Sequence, residues 1–185
     1  ALAELVPIKS EDIEGLYQFA KQERIDLTIV GPEVPLERGI VDRFEQGGLY
    51  IFGPQKGAAL IESSKHFAKE VMLAAGVPTA GFSTLTNLLE ASNYCEGRNL
   101  PLVLKADGLA AGKGVVVCQS VEEVNSGLKF IFNELKADKV LIEDFLEGKE
   151  ASFIVATNGR DIFPMSTAHD YKRLKDGQVG PNTGG

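Results

Sequence analysis

The 185-residue chain holds only two cysteines and two histidines. Cys95 and Cys118 form no motif, and two thiols are too few for a disulfide framework, so both are expected as core or surface thiols in a reducing compartment. His66 and His169 stand far apart without cysteine partners, which argues against a zinc site. No apolar run approaches the roughly 18 residues that a membrane helix needs. Residues 1–12 show no basic region followed by an apolar stretch, so no signal peptide is visible. Positive charge is also short: 19 Lys and Arg against 26 Asp and Glu leave a net charge of -7. Such a chain has no general attraction for nucleic acid or anionic lipid, and neither is expected as a partner; any anionic ligand must be held by a local site. A cytoplasmic location is the expectation. The apolar share of 44% and charged share of 24% are ordinary for a globular protein and exclude disorder, collagen and coiled coil as whole-chain descriptions. No internal repeat or low-complexity segment is present. The length suits one domain or pieces of two, and the chain, without an initiator Met and ending on Gly184-Gly185, reads as a segment of something longer.

What is present is mostly alternating. Residues 11–23 place Ile13, Leu16, Tyr17 and Ala20 on one helical face. Residues 25–30 read as a strand ending in Gly31-Pro32-Glu33, residues 35–46 as one helix, and residues 49–52 as a second strand ended by Gly53-Pro54. Strand, helix, strand with short links predicts a parallel α/β unit, whose ligands bind at the carboxyl ends of the strands. Ser63 or Ser64 is placed to cap a helix running to about residue 75, with Phe67, Val71 and Met72 inward. A short helix near 86–95, strands at 100–106 and 115–118, a helix opened by the capping box Ser120 to Glu123, and a strand at 139–145 follow. Asn158-Gly159 predicts a type I′ hairpin between residues 151–157 and 161–165. The tail, residues 166–185, reads as irregular.

Glycine is the compositional exception, 20 of 185 residues, about 11% against an average near 7%. Its densest stretch is Asp107-Gly108-Leu109-Ala110-Ala111-Gly112-Lys113-Gly114. Small residues leave the backbone N–H groups open to a phosphate, and Lys113 adds positive charge. The stretch joins strand to strand, so it is neither a P-loop nor a dinucleotide fingerprint, both of which open a helix. It is a flap over a polyphosphate or simply a loose hairpin. Lys105 on an apolar strand and Lys65 in the first turn of a helix are both costly placements for a cation unless an anion shares the site. Singly, each is also readable as a solvated surface lysine; together with the loop they suggest a triphosphate clamp. Residues 143–150 offer a strand end able to read an adenine edge and a carboxylate, Glu150, for ribose hydroxyls, or else a soluble acidic turn. Asp170-Tyr171-Lys172-Arg173 and residues 180–185 offer a second anion nest or a surface loop.

In order along the chain stand Val30-Gly31-Pro32-Glu33 with Pro35-Leu36, Ile51-Phe52-Gly53-Pro54, Ser64-Lys65, Lys105-Ala106 with the glycine loop, Glu143-Asp144-Phe145-Leu146, Glu150-Ala151-Ser152-Phe153 and Gly180-Pro181-Asn182-Thr183-Gly184-Gly185. Over nearly the whole chain this set resembles the glycinamide ribonucleotide synthetase (phosphoribosylamine–glycine ligase) family of ATP-grasp enzymes. The resemblance implies an α/β fold: a partial parallel-sheet N-terminal domain over residues 1–60, then a partial ATP-grasp domain over 61–185 with an α+β lid at about 80–146 and antiparallel strands. It implies ligation of glycine to 5-phosphoribosylamine with ATP, through glycyl phosphate, giving glycinamide ribonucleotide, ADP and phosphate in purine biosynthesis. By the same resemblance Lys65 and Lys105 would contact the ATP phosphates as the catalytic pair. Gly108, Gly112, Lys113 and Gly114 would close over them. The backbone around Asp144 and Leu146, with the Glu143 side chain, would read adenine, and Glu150 would hold the ribose. Gly31, Pro32, Glu33, Asp170, Lys172, Asn182, Thr183 and Gly184 would border the second substrate. Mg2+ or Mn2+ is implied with ligands beyond Gly185, and the family's opening Gly-rich turn with an Arg-Glu pair is absent, so these 185 residues alone are not expected to turn over. Two other readings stay open: a non-catalytic nucleotide-binding module, and another ATP-grasp carboxylate–amine ligase, against which the ending at 180–185 argues.

Overall fold

The computed structural model describes residues 2–109, 114–171, 173–177 and 179–182. Gly112, Lys113, Lys172, Thr183 and Gly184 lie outside the described residues. The chain opens with helix α1 (Ile13–Gln22), started by Asp12, whose Oδ1 accepts the Gly15 N–H at 2.9 Å. Strand β1 (Thr28–Ile29) leads to helices α2 (Glu33–Glu37) and α3 (Ile40–Gln46), and strand β2 (Ile51–Phe52) pairs parallel with β1. The expected single helix over 35–46 is therefore two. Gly39 sits between them at φ 85°, a left-handed conformation that an uninterrupted α-helix does not contain. Tyr17, Ala20, Ile40, Val41 and Phe44 form the core of this unit. Arg43 clasps α3 to α1, donating to both Glu14 carboxylate oxygens at 2.7 and 3.0 Å while lying 3.5 Å over the Tyr17 ring. Helix α4 (Lys56–Ser63) follows, and nothing in the hydrophobic pattern announces it: only Ala59 and Ser63 are buried on it. Its first N–H is fixed from outside, by Asp42 Oδ2 at 2.8 Å.

Helix α5 (Lys65–Ala74) is capped by Ser64, whose hydroxyl accepts the Phe67 N–H at 3.2 Å. Its buried residues are Ala68 and Lys69 rather than the expected Phe67 and Val71, and Val71 is exposed. Strand β3 (Phe82–Leu85), helix α6 (Leu88–Cys95), strands β4 (Leu102–Ala106) and β5 (Val115–Cys118), helix α7 (Val121–Lys129) with a π-helical turn (Phe130–Glu134), and strand β6 (Val140–Asp144) complete this part. The four strands form one antiparallel sheet in the order β3-β6-β4-β5. Strand β3 was not foreseen, because its residues alternate weakly and lie half-buried at the sheet's edge. At α7 the capping box holds, with the Ser120 hydroxyl accepting the Glu123 N–H at 3.2 Å; Glu123 Oε2 reaches back one residue further, to the Gln119 N–H at 2.6 Å.

Because side chains alternate across a strand, the sheet has two unlike faces. Leu102, Leu104, Ala106, Cys118, Val140 and Ile142 point to one side and pack with Ala91, Val124, Leu128 and Ile131 of the helical layer, all almost fully buried. Gly127 lets α7 come close to that layer: a Cβ there would stand 2.9 Å from Leu104 Cδ1 and 3.4 Å from Val116 Cγ1. Burial raises the Cys118 thiol to about 11, so it stays protonated at neutral pH. Val103, Lys105, Leu141 and Glu143 point to the other side, and that side carries the candidate site.

Beyond the sheet, β7 (Val155–Thr157) and β8 (Ile162–Pro164) form the expected hairpin, but over four loop residues rather than two, since Thr157 pairs with Ile162. Local side-chain bonds decide this: Asn158 Oδ1 accepts the N–H groups of Arg160 and Asp161 at 3.0 and 2.7 Å, and the Thr157 hydroxyl accepts that of Gly159 at 3.1 Å. The tail, expected irregular, contains β9 (Arg173–Lys175) and β10 (Val179–Asn182) in antiparallel pairing.

Two substitutions test the packed face. Leu104→Ala is expected to cost about 2–5 kcal/mol, and Gly127→Val, which forces branched atoms against Leu104, about 1–3 kcal/mol. Urea unfolding with an unchanged denaturant slope is the check.

Candidate active site

Helix α5 brings Lys65, Ala68, Lys69 and Met72 to one side, at the i, i+3, i+4, i+7 spacing of a helical stripe. The second face of the sheet brings Lys105 and Glu143. In the antiparallel register Lys105 pairs with Leu141 and Val103 with Glu143, so Lys105 and Glu143 are diagonal neighbours on one face. These residues line one cavity of about 570 Å³ together with Glu33 and Val34 of α2, Ile61 and Glu62 of α4, and Gly108, Leu109, Gly114 and Val115 at the two ends of the glycine loop.

Charge inside it is arranged in two tiers. Glu143 is 5% exposed, and its Oε2 accepts from Lys105 Nζ at 2.8 Å and lies 3.2 Å from Lys69 Nζ. Lys69, 7% exposed, also donates to Thr79 Oγ1 at 2.7 Å and to the Ala80 carbonyl at 3.3 Å. Nearer the loop, Lys65 Nζ donates to the Gly108 carbonyl at 2.9 Å. Burial pushes the Lys65 ammonium below its ordinary value of 10.5; the charges of Asp107 and Glu62 oppose this, and that of Lys105 adds to it. Asp107, just before Gly108, accepts from the Ser64 hydroxyl at 3.2 Å and from the His66 N–H at 3.2 Å. Strand end and helix start are thus bound together where the loop leaves the sheet, and Gly108 takes φ 92°, a turn that favours glycine.

The structure therefore gathers Lys65, Lys105, Gly108, Gly114, Glu143 and Glu33 from the sequence-derived set. Gly31 and Pro32 sit exposed just before α2 and do not line the cavity. Asp144 ends β6; its N–H donates to the Gly81 carbonyl at 2.9 Å, and its Oδ1 lies 3.9 Å from Arg98. Leu146 and Glu150 lie beyond that strand end, both exposed, and the Glu150 carbonyl oxygen stands 2.6 Å from His169 Nδ1. Asp170 is half-buried beyond the Ser152–Ala168 bridge, and Asn182 ends β10. Lys69 is the residue that sequence reasoning missed. Its signal was its spacing, four residues after Lys65 and on the same helical face. Among the described residues no group of three or more His, Cys, Asp and Glu side chains stands together to hold a metal ion, so the implied Mg2+ or Mn2+ has no ligand set there. No helix among them is long and apolar enough to cross a membrane.

A cavity with lysines on two walls and residues of the glycine loop at its rim suits the phosphates of a nucleotide. The family model of the phosphoribosylglycinamide synthetase N domain matches residues 1–62, and that of the phosphoribosylglycinamide synthetase ATP-grasp (A) domain matches residues 63–185. The phosphoribosylamine–glycine ligase of Vibrio vulnificus is 48% identical over 187 residues, covering 98% of this chain and 43% of its own. The solved phosphoribosylamine–glycine ligase of Thermotoga maritima superposes with a TM-score of 0.74 at 38% identity, over 84% of this chain and 39% of that one. The biotin carboxylase domain of 2-oxoglutarate carboxylase from Hydrogenobacter thermophilus, solved with MgADP, ADP and bicarbonate, gives a TM-score of 0.64 at 24% identity, over 77% of this chain and 34% of its own, and is similar in fold alone. The chain spans less than half the length of the curated relatives it matches.

Proposed function

The chain belongs to the phosphoribosylglycinamide synthetase family, and we propose that the protein containing it ligates glycine to 5-phosphoribosylamine at the expense of ATP. The shared cavity of Lys65 and Lys105 beneath the glycine loop carries this reading. A carboxylate is a poor electrophile, so glycine is first converted to glycyl phosphate. That step requires the terminal phosphate of ATP held in line and its charge neutralised, which Lys65 and Lys105 are placed to do. The amine of 5-phosphoribosylamine then attacks the acyl carbon, phosphate leaves, and glycinamide ribonucleotide and ADP are the other products. The glycine loop excludes water from the acyl phosphate. Glu33, on the opposite wall, borders the second substrate. The backbone beyond β6 meets the adenine, with the Glu143 side chain engaged by lysines rather than by the base, and Glu150 meets the ribose. ATP-grasp enzymes use ATP with a divalent metal ion; no described residue is assigned to that ion, and no step is routed through it. The domain division falls near residue 60, and the compartment is the cytoplasm.

The test is the full-length protein with ATP, glycine and 5-phosphoribosylamine: glycinamide ribonucleotide, ADP and phosphate form together. ADP release with bicarbonate in place of glycine favours the carboxylase reading, and ATP binding without release favours a nucleotide-binding module.

Two predictions follow from the lysines. Lys105→Ala removes a charge-assisted bond worth about 1.5–3 kcal/mol, so ATP is expected to bind about ten- to a hundredfold more weakly. The protein stays folded because Glu143 keeps Lys69. Equilibrium titration and urea unfolding measure both. For Lys65 the sign is fixed by its lowered pKa. A bound phosphate raises that pKa again, so binding takes up a proton once the free Lys65 has begun to deprotonate. The contribution of Lys65 to ATP affinity therefore falls on the alkaline side, starting below 10.5. Lys65→Arg, which stays charged, removes that component of the fall; an unchanged alkaline limb in the Arg variant would contradict it.

A further inference from the structure

The two lysines on Glu143 are not equivalent. Lys69 donates hydrogen bonds to Thr79 Oγ1 and the Ala80 carbonyl and forms an ion pair with Glu143 Oε2 at 3.2 Å, and its Nζ stands 5.4 Å from the centroid of the Phe82 ring. Its side chain is 8% exposed. Its hydrogen bonds go to the loop and its charge to the strand, so it is fixed by helix, loop and strand together. Lys105 makes its side-chain ion pair only with Glu143 among the described residues, and its side chain is 29% exposed on the cavity wall. Two ammonium groups on one carboxylate leave one net positive charge, and the more exposed of the two lysines faces the open space.

A buried carboxylate deprived of its last cation is strongly unfavourable, and one that retains a paired cation is much less so. With Lys69 in place, Lys105 can turn from Glu143 to an incoming phosphate while the carboxylate stays neutralised. Without Lys69, that same movement would strand Glu143. We propose that Lys69 is a positioning residue: it serves as the permanent counter-ion of Glu143 and so releases Lys105 for the nucleotide's phosphates. The inference rests on the reading of this cavity as the ATP site. Lys69 touches no ligand itself and acts through Glu143.

The experiment is a calorimetric titration of the full-length protein with MgATP, in wild type, Lys69→Gln, Glu143→Gln and the double variant. The expected result is a loss of about ten- to a hundredfold in affinity for Lys69→Gln in the wild-type background. In the Glu143→Gln background, where no carboxylate is left to strand, adding Lys69→Gln changes the affinity by less than about twofold, the limit of additivity for uncoupled sites. Equal losses in both backgrounds mean that Lys69 merely props the loop at Thr79 and Ala80, and overturn the proposal. Unchanged affinity of Lys69→Gln also overturns it, while leaving the ATP site standing if Lys105→Ala still weakens binding. Failure of the wild-type protein to bind MgATP removes both. Lys69→Arg keeps the charge and serves if the Gln variant does not fold: it is expected to bind within about threefold of wild type, and a folded Arg variant as weak as Lys105→Ala refutes the counter-ion role.

Discussion

A carboxylate buried beside a ligand cavity has to be neutralised where it stands, and Glu143 is neutralised twice. That pairing dictates much of what surrounds it. It requires strand β6 to present Glu143 on the same face as Lys105 of β4, which the antiparallel register does by a diagonal offset. It requires α5 to lie across that face with Lys69 turned inward, the reverse of what a lysine on a helix ordinarily does. It also requires the loop carrying Thr79 and Ala80 to supply oxygens for the remaining ammonium protons. Helix, loop and two strands thus converge on one charged cluster, and the opposite face of the sheet, free of charge, does the packing.

The division of labour between the faces explains how a stable scaffold carries costly groups. Leu102, Leu104, Ala106, Val140 and Ile142 bury apolar area against α6 and α7, each fully buried aliphatic side chain contributing about 1.5–3 kcal/mol. The neighbouring positions on the same strands are then available for ions whose desolvation is unfavourable. A charge at position 104 in place of 105 would have nowhere to find a partner; the two-residue period of the strand decides which lysine is a site and which would be a defect.

That asymmetry also marks what the sequence could and could not tell. Lys105 stood out because a cation in an apolar run is costly without an anion, and the anion that the structure places on it is the Glu143 carboxylate, which the sequence did not single out for that part. The strand-to-strand context of that loop was legible from Leu102 to Ala106 and Val115 to Cys118, and the parallel β1–β2 pair from the alternation before Gly31 and Gly53. Lys69 carried one signal, its spacing from Lys65, but its burial was not legible, because its partners Glu143, Thr79 and Ala80 are distant in sequence or backbone atoms. The broken helix at Gly39 and the four-residue hairpin at Asn158 were missed for a related reason: a left-handed residue and a set of side-chain-to-backbone bonds override periodicity without altering it. Helix α4 has almost no apolar stripe, and its first N–H is anchored by Asp42, fourteen residues earlier, so tertiary contact, not pattern, defines it.

The acidic balance of the chain fits this arrangement. With a net charge of -7, the chain has no general attraction for polyanions, and the cavity brings three lysines, Lys65, Lys69 and Lys105, to one concave place. There Lys65 is tied to the Gly108 carbonyl, and Asp107 is tied to the start of α5. The cation and the strand end are therefore joined where the loop begins. One hydrogen bond fixes the first carbonyl of the loop and a carboxylate fixes the strand end before it, so the start of the loop is set from both sides.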